Sequence, residues 1–256
     1  MAITPITSPQ NAKLKALRGL FSRHGQSKTD QFVLEGMRHN QEAMAAGWTP
    51  VFMVVTDEKK APTNAEALLI DVTLMSRISG RKNAPDVVGV YQQRWQGLPA
   101  TDDFVLALEN IRDPGNLGTI IRTAAACGVG HIALIEQSCN PYSLEAIRAS
   151  MGTFRLVSFS QSSADMFASW LKARGGTSVA THLQATHHWQ DVPQKQPLTL
   201  VMGSESTGLS DKLTDSCTSK VRIPMAAGVE SLNVAMATGL MLYDCLLYTS
   251  PSPRDA

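Results

Sequence analysis

The sequence predicts an α/β protein in two parts: a C-terminal domain on a parallel sheet, preceded by a smaller α/β domain. Three observations carry this. From Phe104 onward, short apolar runs alternate strictly with helical segments. Those runs are near-continuous in Val, Leu, Ile and Ala, as strands covered on both faces require. Between residues 32 and 95 a looser alternation of the same kind appears. Strands alternating with helices mean parallel pairing under two helical layers. Such sheets bind ligands at the carboxyl ends of their strands.

The chain opens on a basic arm. Residues 1–29 hold Lys13, Lys15, Arg18, Arg23 and Lys28 and no acid, so the arm is +5 against a chain total of +1, and the remainder is −4. That is a phosphate-binding footprint, or equally the face of a solvated helix. Phe32–Gly36 is strand-like, Met37–Ala46 is helical and stops at Gly47, and Pro50–Thr56 is a buried strand. Ala65–Leu69 reads as a short helix and Asp86–Gln92 as a strand. Arg77, Arg81 and Lys82 form a second basic cluster, read as a loop beside Gly80. Loop arginines serve phosphate contact and plain solvation equally. The division expected is 1–95 for the first domain, 96–102 for a linker, 103–246 for the second domain and 247–256 for a non-native tail.

In the second domain the strand segments are FVLALE, HIALIE, FRLVSF, TSVATHL, PLTLVMG and KVRIPM. The clearest helices are Leu117–Cys127, Ser163–Lys172 and Ser231–Leu242. Asn116 reads as the cap of the first and Ser231 as the cap of the last.

Several function classes are excluded. No apolar run reaches the roughly eighteen residues of a membrane span. The opening MAITPITSPQ lacks a charged-then-apolar leader, so a cytoplasmic protein is expected. Cys127, Cys139, Cys217 and Cys245 form no C-x-x-C pair, which points to reduced thiols and away from zinc or disulfides. His187 and His188 are adjacent, so on a strand they face opposite ways and no metal site is expected. Gly128-Val-Gly130-His-Ile-Ala133 matches G-x-G-x-x-A but precedes its strand, and no helix opens from it. The dinucleotide fingerprint needs strand, glycines, then helix, so a nucleotide-dependent oxidoreductase is disfavoured. Gly115-Asn-Leu-Gly118 lacks the spacing and lysine of a P-loop.

The remaining polar residues gather in three stretches. They are Asn110–Gly128 (NIRDPGNLGTIIRTAAACG), Leu200–Leu209 (LVMGSESTGL) and Val221–Asp244, which begins VRIPMAAGVESLNVA. Their order, N-x-G-x-x-x-R-T, then M-G-S-E-x-x-G-L, then I-P-M and S-L-N-V-A, resembles the three motifs of the SpoU/TrmH family. These are RNA ribose 2′-O-methyltransferases of the knotted SPOUT class. The resemblance covers Phe104 to Asp244 firmly. More loosely, Ser8, Pro9, Asn11 and Lys15 and the phrase Phe32–Arg38 resemble the family's small substrate-binding domain.

The resemblance implies a trefoil-knotted SPOUT methyltransferase domain, S-adenosylmethionine as methyl donor, an RNA partner and a homodimer. It implies a catalytic set of Asn116, Arg122, Glu205, Ser231 and Asn233. Thr181, His182, Gly203, Ile223, Met225 and Leu232 would hold the cofactor. Gly203 follows its strand directly, where a side chain would obstruct a ligand lying on the backbone. Lys13, Lys15, Arg18, Arg38, Arg77, Arg81 and Lys82 would meet RNA, ribosomal RNA (23S) before tRNA, because a separate N-terminal domain stands where tRNA-modifying members carry short basic tails. A catalytically idle RNA-binding relative is the alternative. Arginine stays protonated in proteins, so Arg122 is read as a clamp for phosphate and developing alkoxide charge, with Asn116 orienting the hydroxyl or the arginine.

Overall fold

The computed structural model describes residues 3–22, 29–63, 65–100, 104–183, 185–188, 191–192, 196–204 and 206–249, the last with side chains to 244. It divides into two units. The first comprises Met1–Gln93 with Tyr142–Ile147, the second Arg94–Pro141 with Arg148–Ala256.

The first unit holds strands β1 (Ile3–Pro5), β2 (Gln31–Glu35), β3 (Pro50–Val55), β4 (Ala67–Leu69) and β5 (Val87–Gln92). They form one sheet in the order β1-β4-β3-β5-β2. β1, β4 and β3 run parallel, while β5 is antiparallel to β3 and β2. Helix α1 (Ala12–Leu20) buries Leu14, Leu17 and Leu20, with Asn11 accepting from Lys13 and Leu14 amides as its cap. Helices α2 (Met37–Ala45) and α3 (Val72–Ser79) follow β2 and β4. Asn40 is fully buried. Its amide donates to the carbonyls of Leu34 and Gly36, and its oxygen accepts from Tyr91 Oη at 3.0 Å.

Two expectations fail here. Ala65–Leu69 is not a helix: Ala67–Leu69 is the strand between β1 and β3, and pairing on both sides overrides the helical preference of Ala and Leu. Arg77 is not in a loop but in the last turn of α3, which Gly80 ends in a left-handed conformation at φ 68°.

In the second unit the strands are β6 (Val105–Glu109), β7 (His131–Ile135), β8 (Ser158–Ser162), β9 (Thr177–Thr181), β10 (Leu198–Met202) and β11 (Ser219–Val221). All pair in parallel, in the order β11-β9-β10-β6-β7-β8. Every residue of β6, β7 and β10 is buried. Each fully buried Leu, Ile or Val stabilises by about 1.5–3 kcal/mol. The helices are α4 (Pro114–Ala126), α5 (Leu144–Ala149), α6 (Ala164–Arg174), α7 (Asp211–Ser216) and α8 (Val234–Thr249). α5 begins in the part of the chain that belongs to the first unit.

Three boundaries differ from expectation. FRLVSF is not one strand: Thr153–Leu156 is a 3-10 turn behind left-handed Gly152, and pairing with β7 begins only at Ser158. KVRIPM contributes only Lys220 and Val221, because pairing stops at Val221 and Pro224 has no N–H to extend it. α4 starts at Pro114, with Asp113 as cap; Asn116 lies in the first turn and its amide donates to Asp113 Oδ1 at 2.7 Å. Pro114 suits the first helical position, where an N–H has no partner to lose. Residues 96–100 of the expected linker lie against the second unit, where Trp170 Nε1 donates to the Pro99 carbonyl. The expected tail includes the end of α8; residues 250–256 lie outside the described ones.

Candidate active site

At the carboxyl ends of β9, β10 and β11 the second unit opens a cleft of about 390 Å³. Thr181 and His182 end β9 and form one wall. Thr181 Oγ1 reaches the Val201 carbonyl and Met202 sulfur, both at 3.5 Å. Gly203, Ser204 and residues 206–209 form the second wall. Ile223 and Met225 after β11, and Ser231 and Leu232 before α8, form the third. All six residues read as cofactor-binding therefore line one cleft, and Ser231 joins them.

The loop after β10 is closed on itself. Gly208 N donates to Ser204 O at 2.9 Å, and Ser204 and Thr207 hydroxyls are 2.8 Å apart. A Cβ on Gly203 would lie 2.2 Å from the Gly208 carbonyl carbon. Gly203 is therefore required by the loop's own backbone, a closer obstacle than any ligand. Ser204, Thr207, Gly208 and Arg222 line the cleft too and were not singled out from the sequence. The signal for the first three was their place inside the second motif; Arg222 carried none.

Asn233 does two jobs. Its Oδ1 accepts from the amides of Ala235 and Met236, at 3.0 and 3.3 Å, and so caps α8. Its Nδ2 donates to Oδ1 of Asn116 at 3.0 Å. The side chain thus ties the start of α8 to the first turn of α4. This corrects the reading of Ser231 as the cap. Asn233, the last polar residue before the apolar run, takes that role, and Ser231 is left facing the cleft.

Arg122 is exposed on α4, on the side away from Ile120, Ile121 and Ala124, and is not among the cleft-lining residues. Six residues of helix separate it from Asn116, about 9 Å along the axis. Glu205 lies outside the described residues. Burial raises the Cys127 thiol and pushes Cys217 up to about 12. Both stay protonated at neutral pH. Among the described residues no His, Cys, Asp or Glu group is arranged to hold a metal.

The seven basic residues read as RNA-binding fall into two groups. Lys13 pairs with Glu66, Arg38 with Glu42 at 2.8 Å and Arg81 with Glu35 at 3.2 Å. Lys15, Arg18, Arg77 and Lys82 are exposed with no ion pair to another described residue. Arg23 and Lys28 lie outside the described residues.

Fold and cleft define an α/β domain with an opening at the carboxyl ends of parallel strands, the place where such sheets bind ligands. The chain belongs to the SpoU rRNA methylase family, whose model matches residues 103–243. An MRM3-like substrate binding domain matches residues 11–89. A relative from Bacillus subtilis, RlmP, is named as a 23S rRNA (guanosine(2553)-2′-O)-methyltransferase; it is 27% identical over 93% of this chain and 97% of its own. A Synechocystis protein named as an uncharacterized tRNA/rRNA methyltransferase is 34% identical over 94% of this chain and 93% of its own. The AdoMet-bound rRNA methyltransferase from Sinorhizobium meliloti superposes with a TM-score of 0.89 at 32% identity, covering 97% of this chain and 99% of that one.

The double role of Asn233 is testable by thermal denaturation. Asn233→Ala removes the cap and should cost about 1 kcal/mol. Asn233→Asp keeps an acceptor at the helix start, where negative charge is favoured, and should hold stability near that of the parent. Equal losses in the two variants would mean that the cap is not what Asn233 supplies.

Proposed function

We propose that this chain methylates a ribose 2′-hydroxyl of 23S ribosomal RNA, using the cleft at the ends of β9, β10 and β11. As a SpoU family member it is an S-adenosylmethionine-dependent RNA 2′-O-methyltransferase. The observation that carries the reading is the convergence of the three motif stretches: two wall the cleft, and the Asn233–Asn116 hydrogen bond joins the third to the first. The cleft volume lies within the range of small-ligand sites. Its lining suits an adenosine: apolar Leu209, Ile223, Met225 and Leu232, with hydroxyls of Thr181, Ser204 and Ser231. Bound there, S-adenosylmethionine supplies an activated methyl group on a sulfonium.

The chain's own groups then have separate tasks. Asn116, held by Asn233, orients the ribose hydroxyl. Arg122, exposed on α4, meets the phosphate beside that ribose and stabilises charge growing on the oxygen. Helix Cα–Cβ bonds tilt towards the N-terminus, so a long side chain at 122 leans back towards Asn116. The proton goes to that phosphate or to water, since a guanidinium does not accept it. Ser231 faces the reacting groups, and Glu205 supports Asn116 or Arg122.

Lys15, Arg18, Arg77 and Lys82 offer charge to RNA phosphates directly. Lys13, Arg38 and Arg81 do so by exchanging a surface ion pair worth about 0–1 kcal/mol. The relative named for 23S rRNA and the substrate-binding match favour ribosomal RNA over tRNA. The intact set of Asn116, Arg122, Ser231 and Asn233 favours an active enzyme over an idle relative. A ribosomal substrate implies a cytoplasmic enzyme; among the described residues no helix is long and apolar enough to cross a membrane.

Two assembly features belong to the same reading. From edge strand β11 the chain returns to α8, which packs on α4, the helix after β6. In the trefoil-knotted arrangement of the class, this return would be tucked through a loop beside the cleft. On α8, Met236, Leu240 and Tyr243 are 63%, 49% and 51% exposed at spacings of four and three. That apolar stripe on one helix face is the surface a homodimer would cover.

Ligand-induced thermal stabilisation tests the cofactor. S-adenosylhomocysteine at about 100 times its dissociation constant should stabilise by about 2.7 kcal/mol, and NAD should not. The reverse result would overturn the reading.

Arg122→Lys tests the mechanism. A point charge survives but the planar fork is lost, so single-turnover methylation should fall by about 10²–10³ and stay low from about pH 6 to 10, a window that brackets any desolvated lysine. Recovery of the parent rate at high pH would make Arg122 a base and contradict the clamp.

A further inference from the structure

Glu109 closes β6 and is 2% exposed. A buried carboxylate is costly unless hydrogen bonds hold it. Its Oε2 accepts from the backbone N–H of Ser210 at 2.7 Å. Ser210 caps α7, its hydroxyl accepting from the Leu213 amide at 3.4 Å. It is also the far stem of the loop whose residues 203, 204 and 206–209 wall the cleft.

Two attachments to the sheet flank that loop, whose Leu209 also packs into the core with Val105 and Val201. One is covalent, through Gly203 and β10. The other is the hydrogen bond from Ser210 to Glu109 on the neighbouring strand, whose Leu108 pairs with Met202. Between them the loop closes tightly on itself, with Gly203 against the Gly208 backbone. A shift at Ser210 is therefore carried into the wall and not absorbed by slack. Resting on the proposal that this cleft holds S-adenosylmethionine, we infer that Glu109 is a positioning residue for the cofactor wall. It acts through Ser210 and touches no ligand.

The molecule contains its own control. Glu136, just after β7, makes the same kind of bond: Oε1 accepts from the Ala164 amide at the start of α6, at 2.6 Å. Neither Glu136 nor Ala164 lines the cleft.

The test is calorimetric binding of S-adenosylhomocysteine, with amide hydrogen exchange across residues 204–210. Glu109→Leu should weaken binding about tenfold, the range of one hydrogen bond to a charged group, and speed exchange in the loop. In methylation assays it should raise KM for S-adenosylmethionine and leave kcat little changed. Glu109→Gln keeps an acceptor and should restore most of the affinity. Glu136→Leu should leave binding as it is. Ser210→Pro fits the observed φ of −64° and removes the donor, while its ring carbon presses on Glu109 Oε2 and restricts Leu209; its extra loss over Ser210→Ala should be at least that of Glu109→Leu. If Glu109→Leu fails to fold, the Ser210 pair gives the answer alone. Unchanged loop exchange and affinity in Glu109→Leu or Ser210→Pro would overturn the inference. So would an equal effect from Glu136→Leu. If the unaltered protein does not bind S-adenosylhomocysteine, the cofactor reading fails, while loop exchange still decides the role of Glu109.

Discussion

A strand buried on both faces can offer chemistry only at its ends. β6, β7 and β10 bury every residue, so polar side chains along the sheet, such as Ser160, Ser178 and Thr199, are themselves buried. Reactive groups are pushed to the loops beyond the carboxyl ends. There the backbone must find partners for its own N–H and C=O groups. Each loop of the cleft solves this locally: Ser204 bonds to Gly208 and Thr207, and Asp113 and Asn233 cap the helices beside it. The cleft is what remains between loops that have satisfied themselves.

That economy gives single side chains more than one task. Asn233 satisfies two orphan amides of α8 and holds Asn116 with its remaining donor. Glu109 ends β6, the strand beside β10, and reaches the loop after β10.

The core strands were legible because continuous apolar runs of five or six residues have few alternatives. Helices α4, α6 and α8 were legible from their apolar period. Elements that failed share a cause: little side-chain signal. β8 reads SFSQS and lies at the sheet edge; β1, β4 and β11 have three residues each and exist by pairing. The caps were misplaced because Ser, Asn and Asp are nearly equivalent at that position. Only the geometry chose Asn233 over Ser231 and Asp113 over Asn116. The cleft residues were legible through the three motifs. Glu109 was not, although an acid closing an all-apolar run is a visible anomaly. The exposed position of Arg122 was also not readable from its neighbours.

The central claim is methyl transfer to a ribose hydroxyl of ribosomal RNA, and alkaline cleavage tests it most directly. RNA breaks in alkali when a 2′-hydroxyl attacks its own phosphate, so a methylated ribose resists. The protein, S-adenosylmethionine and 23S rRNA lacking the modification are incubated, and the product is hydrolysed to a ladder. The account predicts a single missing rung in the 23S ladder, absent when the protein is omitted and not produced on tRNA. Transfer of label without a missing rung would put the methyl on a base, and would contradict the account.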